Sequence, residues 1–236
     1  MLAAYSAVAG ADSSALQFKI LSADGSQTIG YTRFTVSRKD SVQEIKGETS
    51  YLDGESDKED VHLYAELGTD DPRLDTYEHS FFNADGTLHM VDGLDAKSGV
   101  ASCTTYTPGA TKVRKIRLDV PRDSFAGSSG LMMMAESLRH GIREIRFHAF
   151  ACAPGPEMFS VKAERLDQSE HWLHYPGDLF RLDMKPDLGA LNLLIAPFLP
   201  RMNAWFNPGD NWNYVGGEFD RYFRGPHVLT VLVPSD

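Results

Sequence analysis

Apolar and polar residues alternate in one short run after another along this chain, and that period of two constrains the fold more than any other feature. Leu16, Phe18 and Ile20 alternate with polar neighbours before a turn at Asp24-Gly25. Gly30 to Val36, Ile45 to Leu52 and the series Val61, Leu63, Ala65, Leu67 repeat the pattern, with Lys39-Asp40 and Asp53-Gly54 as breaks. Tyr77 to Phe82 and Thr87 to Val91 flank Asn83-Ala84-Asp85-Gly86, a hairpin turn in which Gly after Asp supplies a positive φ. Val100 to Tyr106, Val113 to Val120, Ile145 to Cys152, Phe159 to Leu166, Phe180 to Met184 and Val228 to Val233 continue it. Strands with one face on a core and one in water show this alternation. The expected fold is mainly β: an antiparallel, partly open barrel or strongly curved sheet of ten or more strands, with one or two short helices packed on or in it.

Two segments carry the helical period instead. Ser128 to His140 places Leu131, Met134, Ala135 and Leu138 on one face, with Ser128 or Ser129 as N-cap and Gly141 as the stop. Leu188 to Ala196 reads as a short apolar helix opened by Asp187 and closed by Pro197. No shift in composition marks a linker, so residues 16–236 are expected to form a single domain. Met1 to Ala15, small and free of Lys and Arg, reads as a signal-peptide remnant or a flexible arm.

Charge excludes more than it identifies. The 236 residues carry 23 basic and 33 acidic side chains, a net charge of −10. That weighs against a nucleic-acid partner, whose phosphates a protein must neutralise. The apolar stretch Leu193 to Leu199 is far short of the ~18 residues a membrane-spanning helix needs, so no transmembrane segment is expected. Cys103 and Cys152 each sit in a strand-like run. They form either one disulfide, worth roughly 3–4 kcal/mol in the chain-entropy picture, or two buried thiols. No C-x-x-C occurs, which argues against redox chemistry and a cysteine zinc site.

The residue patterns that could carry catalysis are incomplete. Gly127-Ser128-Ser129-Gly130-Leu131 misplaces the second glycine of a nucleophile elbow, and a helix start explains the same residues. His171 and His174, three apart and preceded by Glu170, lack the H-E-x-x-H arrangement of a zinc protease; no metal or other cofactor is expected. Glu170 with His171 or His174 as a base is the enzyme alternative, a hydrolase or isomerase on the same barrel. The acidic run Asp53 to Asp60 lacks the glycine and final glutamate of a calcium loop and reads as a solvated loop. His62, His79, His89 and His148 read as flanking a core.

Aromatic residues concentrate between Trp205 and Phe223, where they suit core packing, sugar stacking or the wall of a lipid cavity. Met132, Met134, Leu138, Leu191, Ile195, Trp205 and Phe206 are the expected wall of an apolar cavity, since Met adapts to irregular ligands as well as to irregular cores.

Three stretches together resemble a known layout. They are Val120 to Phe125, with the form Val-Pro-x-Asp-x-Phe; the helix Ser128 to His140 followed by Gly141 to Phe147; and the late strand Ala204-Trp205-Phe206-Asn207. Many short strands around one central helix resemble bacterial envelope proteins with a LolA-like unclosed barrel, including relatives of unknown function. The resemblance implies a periplasmic or secreted, non-catalytic barrel that holds an acyl chain or another hydrophobic or amphipathic small molecule. A structural or interaction module with an envelope protein partner is a further alternative.

Overall fold

The computed structural model describes residues 12–65, 72–152, 155–173, 175, 177–187, 202–221 and 225–233. The first eight strands form a meander: β1 (Asp12–Ser22), β2 (Thr28–Lys39), β3 (Val42–Tyr51), β4 (Ser56–Ala65), β5 (Pro72–Phe82), β6 (Leu88–Asp95), β7 (Val100–Thr107) and β8 (Ala110–Arg117). A two-residue strand β9 (Ser124–Phe125) leads into the helix α1 (Ser129–Arg139). The chain then returns through β10 (Glu144–Cys152), β11 (Pro156–Arg165), β12 (Phe180–Pro186), β13 (Met202–Asn207), β14 (Asn213–Asp220) and β15 (His227–Leu232). β15 pairs with β1, so both meanders join into one 15-stranded sheet running from β8 to β9. Every pairing is antiparallel except the short one between β9 and β10.

The alternation thus becomes a single curved sheet whose two ends are not hydrogen-bonded to each other. The ends nevertheless meet: β7 and β8 lie against β11, and β6 against β10. Cys103 on β7 and Cys152 on β10 are disulfide-bonded across this seam, with Cα atoms 5.7 Å apart. The edges themselves are poor templates for further pairing. β9 is very short, and β8 is exposed along its whole length and charged by Lys112, Arg114, Lys115 and Arg117.

The helix lies between the two halves of the sheet and divides its interior. Met134, Ala135 and Leu138 pack with Phe125, Phe147, Leu182, Ala204 and Phe206 on one side. Met132 packs with Ile45, Val61, Leu63, Tyr77 and Phe150 on the other. A third cluster joins Trp172 and Leu179 to Trp205, Val215 and Leu229. There the rings of Trp172 and Trp205 stack at 4.2 Å over Gly216, where a Cβ would come within 2.3 Å of the Trp172 ring.

β1 already begins at Asp12, whose register partner is Arg38, so residues 12–15 belong to the sheet; residues 1–11 lie outside the described ones. The expected helix at Leu188 to Ala196 also lies outside the described residues. The cap of α1 differs from the local expectation. Ser128 sits at the N-cap in helical geometry and makes no side-chain capping bond, while Ser129 Oγ bonds the backbone of Ala126. The cap comes from β4 instead. No helix among the described residues is long and apolar enough to cross a membrane.

Candidate functional site

Register places a row of polar side chains on the inner face of the sheet. Thr32, Thr49 and Asp57 are direct cross-strand neighbours on β2, β3 and β4. One pleat further along, Gly47, Glu59, His79 and Asp92 face one another across β3 to β6. Glu59 shares its parity with Val61 and Leu63, both fully buried, so the pleat itself carries the carboxyl group inward.

Glu59 is 8% exposed. Its Oε1 accepts the backbone N–H of Ser128 at 2.7 Å, satisfying one of the free donors at the start of α1 from a different element. Gly127 makes this approach possible. Its φ is +52°, and a Cβ there would lie 1.6 Å from Glu59 Oε1. Glu59 therefore anchors the start of the helix to β4. Burial pushes its carboxyl above the usual carboxylate range, with the nearby His79 charge and the Ser128 N–H opposing it.

His79 is held at both ring nitrogens. Nε2 bonds Asp57 Oδ1 at 2.9 Å, and Nδ1 shares a hydrogen bond with the Tyr77 hydroxyl at 3.2 Å. Burial pulls the imidazole down, but the bond to Asp57 and the charges of Glu59, Asp57 and Asp92 outweigh it and raise it above 6.5. Asp92, the next residue in the row, is raised to about 6 by burial, against the His79 charge. With both nitrogens occupied, His79 serves as a fixed partner for acids and not as a base aimed at a substrate.

One cavity borders this row and a second adjoins the first. The first, of about 140 Å³, is lined by polar groups of Thr32, Thr49, Asp57, Glu59, His79 and Arg221 and by the rings of Phe18 and Tyr214. The other, of about 290 Å³, is lined mainly by Leu16, Val36, Ile45, Leu131, Met132 and Ala135. Phe18, Phe34, Leu131 and Tyr214 line both, so the spaces adjoin along the helix.

Arg221 crosses one end of the polar cavity. Its guanidinium lies 3.3 Å from the Tyr51 ring centroid and bonds Asp53 at 3.0 Å and Glu55 at 2.6 Å. Burial, with the Asp57 charge adding to it, pushes the Tyr51 phenol up to about 12 against the opposing Arg221 charge. Arg221→Ala is expected to cost about 1 kcal/mol, chiefly from the ring contact, because both acids are largely exposed. Urea titration monitored by tryptophan fluorescence measures it, and an unchanged midpoint would remove Arg221 as a strut.

The residues expected from sequence separate. Met132 lines the apolar cavity. Met134, Leu138 and Phe206 are packed in the first core cluster and do not line that space. Trp205 belongs to the third cluster under Trp172. Leu191, Ile195 and His174 lie outside the described residues. His171 is 80% exposed in its side chain and lines none of the cavities described here, and Glu170 is turned to Arg181 and Trp205. Glu170 and His171 therefore form no enclosed acid–base pair. The inward Asp57 and Glu59 were missed because an acidic run reads as solvated, although the strand parity set by Val61 and Leu63 points both to the core; His79 was read only as flanking a core, and Asp92 carried no signal of its own.

No family model and no curated protein matches this chain. Among solved structures it is similar to the crystal structure of a β-barrel-like protein of the domain of unknown function DUF1849 from Brucella abortus. The two share 8% identity at a TM-score of 0.49, over 96% of this chain and 97% of that one.

Proposed function

We propose that this protein is a non-catalytic carrier that holds an amphipathic ligand with one acyl or alkyl chain beside α1. The observation that supports this reading most is the pair of adjoining cavities, one apolar and one polar, sharing four lining residues. The apolar space of about 290 Å³ lies near the lower end of the ~300–1,000 Å³ usual for small-molecule sites. Each CH₂ moved into it from water contributes ~0.8 kcal/mol. The Cys103–Cys152 disulfide favours an oxidising compartment, and with the LolA-like layout it supports a periplasmic or secreted location.

The test is uptake of a twelve-carbon alcohol, followed by native mass spectrometry and calorimetry, in the full chain and in Leu131→Trp. Leu131 borders both cavities and is only partly buried, so an indole there fills space without displacing the core. Dodecanol is expected to bind the parent protein one to one and Leu131→Trp at least ten-fold more weakly. Equal binding by both overturns the carrier reading, as does a parent protein that takes up neither dodecanol nor another twelve-carbon amphiphile.

A further inference from the structure

The polar cavity is built to satisfy something that the described residues do not satisfy. Glu59 is more than nine-tenths buried, and the donors at its carboxyl are the N–H of Ser128, on Oε1, and the Ser128 hydroxyl. A carboxylate can accept about four hydrogen bonds, so acceptor capacity is left over, and the side chain lines the cavity. Thr49 donates its hydroxyl to Thr32 at 3.0 Å, and both are at least nine-tenths buried on the same wall. The Thr32 hydroxyl proton finds no acceptor among the described residues. These groups converge on a space of about 140 Å³, room for a small head group but not for a sugar or a nucleotide.

The sign of charge selects among head groups. Asp57 and Glu59 line the space, and Asp92 stands behind His79 in the same row. The two cations nearby are engaged: His79 is bonded to Asp57, and Arg221 is matched by both Asp53 and Glu55. Acids therefore outnumber bases around the cavity, in an interior where charge is weakly screened. A carboxylate or phosphate entering there meets like charge without a free cation. An ammonium meets a carboxylate with acceptor capacity left over.

We propose that the polar cavity seats a positively charged amine head group, so that the ligand is an alkyl or acyl amine with its chain in the adjoining apolar space. This rests on the carrier reading above and narrows it to one ligand class. The ammonium donates to Glu59 Oε2 and to Asp57. A hydroxyl or ether oxygen beside it accepts from Thr32.

Calorimetric titration of the full chain at pH 7.5 with dodecylamine, dodecanol and laurate, each below its aggregation threshold, tests the assignment. The chain length is common to all three, so only the head group differs. Dodecylamine is expected to bind at least ten-fold more tightly than laurate, with dodecanol between them. Glu59→Gln and Asp57→Asn are each expected to reduce the amine-to-laurate ratio at least five-fold. Glu59→Gln touches the helix anchor, so Asp57→Asn carries the test by itself if the first variant melts early. Laurate binding as tightly as the amine, or a preference unchanged in the folded variants, overturns the amine assignment while the carrier reading stands. Failure of all three probes to bind removes both.

Discussion

Replacing Cys103 and Cys152 by serine is expected to lower the stability of the protein by about 3–4 kcal/mol, the largest effect of any substitution proposed for this chain. The bond closes a loop across 49 residues of sequence, and chain entropy sets that magnitude. Its position adds a local consequence. β7 and β10 belong to opposite ends of one sheet, with no backbone pairing between them. Without the bond, side-chain packing alone holds β6, β7 and β8 against β10 and β11. Thermal melts followed by circular dichroism should fall by roughly 10 °C, on the usual scale of about 2–4 °C per kcal/mol for a chain this long. Hydrogen exchange should accelerate first in β7, β8 and β10. A fall of less than about 3 °C, or exchange spread evenly over the sheet, would mean that packing closes the seam unaided.

What could be read from sequence follows the range over which each signal acts. Period-two alternation and Gly-bearing turns are local, and they located most strands; Gly86, at φ +79°, closes the β5–β6 hairpin at the position read from Asp85-Gly86. The α1 stop at Gly141 is equally local, with a left-handed φ of +76°. The cap of the same helix is not. Its acceptor, Glu59, stands 69 residues away in sequence, and the two serines at the helix start offered a plausible but unused alternative. Wall residues failed for a related reason. Met132 and Met134 are two residues apart on a helix and so face different clusters, one toward β3 and β4, the other toward β10 and β12. Trp205 and Phe206, adjacent in a strand, likewise enter different clusters. Treating an apolar stretch as one surface merges faces that the backbone geometry separates.

That same parity leads to an unusual pH dependence. Asp92 ionises at about 6 in the folded protein, against an ordinary 3.8, because burial disfavours its charge. The folded state therefore holds this proton more tightly than the unfolded chain. The stabilisation is fully present below pH 3.8 and is lost as pH rises toward and past 6. A shift of that size corresponds to about 2–3 kcal/mol. Glu59, raised by burial, and His79, raised by its acid neighbours against burial, lose stabilisation in the same direction above 4.5 and 6.5 respectively. Glu44, held down by Lys46, and Glu144, held down by Lys162 and Arg146, act oppositely and lose stabilisation as pH falls below 4.5. Stability should therefore peak near pH 5 and decline toward neutrality. Asp92→Asn keeps the shape and removes the ionisation. At pH 7.5 it is expected to be about 2–3 kcal/mol more stable than the parent, with the difference closing below about pH 4. Urea titrations at four pH values from 4 to 8 measure this directly. A gain independent of pH would assign it to packing instead of charge, and a loss at pH 7.5 would show that the Asp92 carboxylate is stabilising as an anion, most directly through His79.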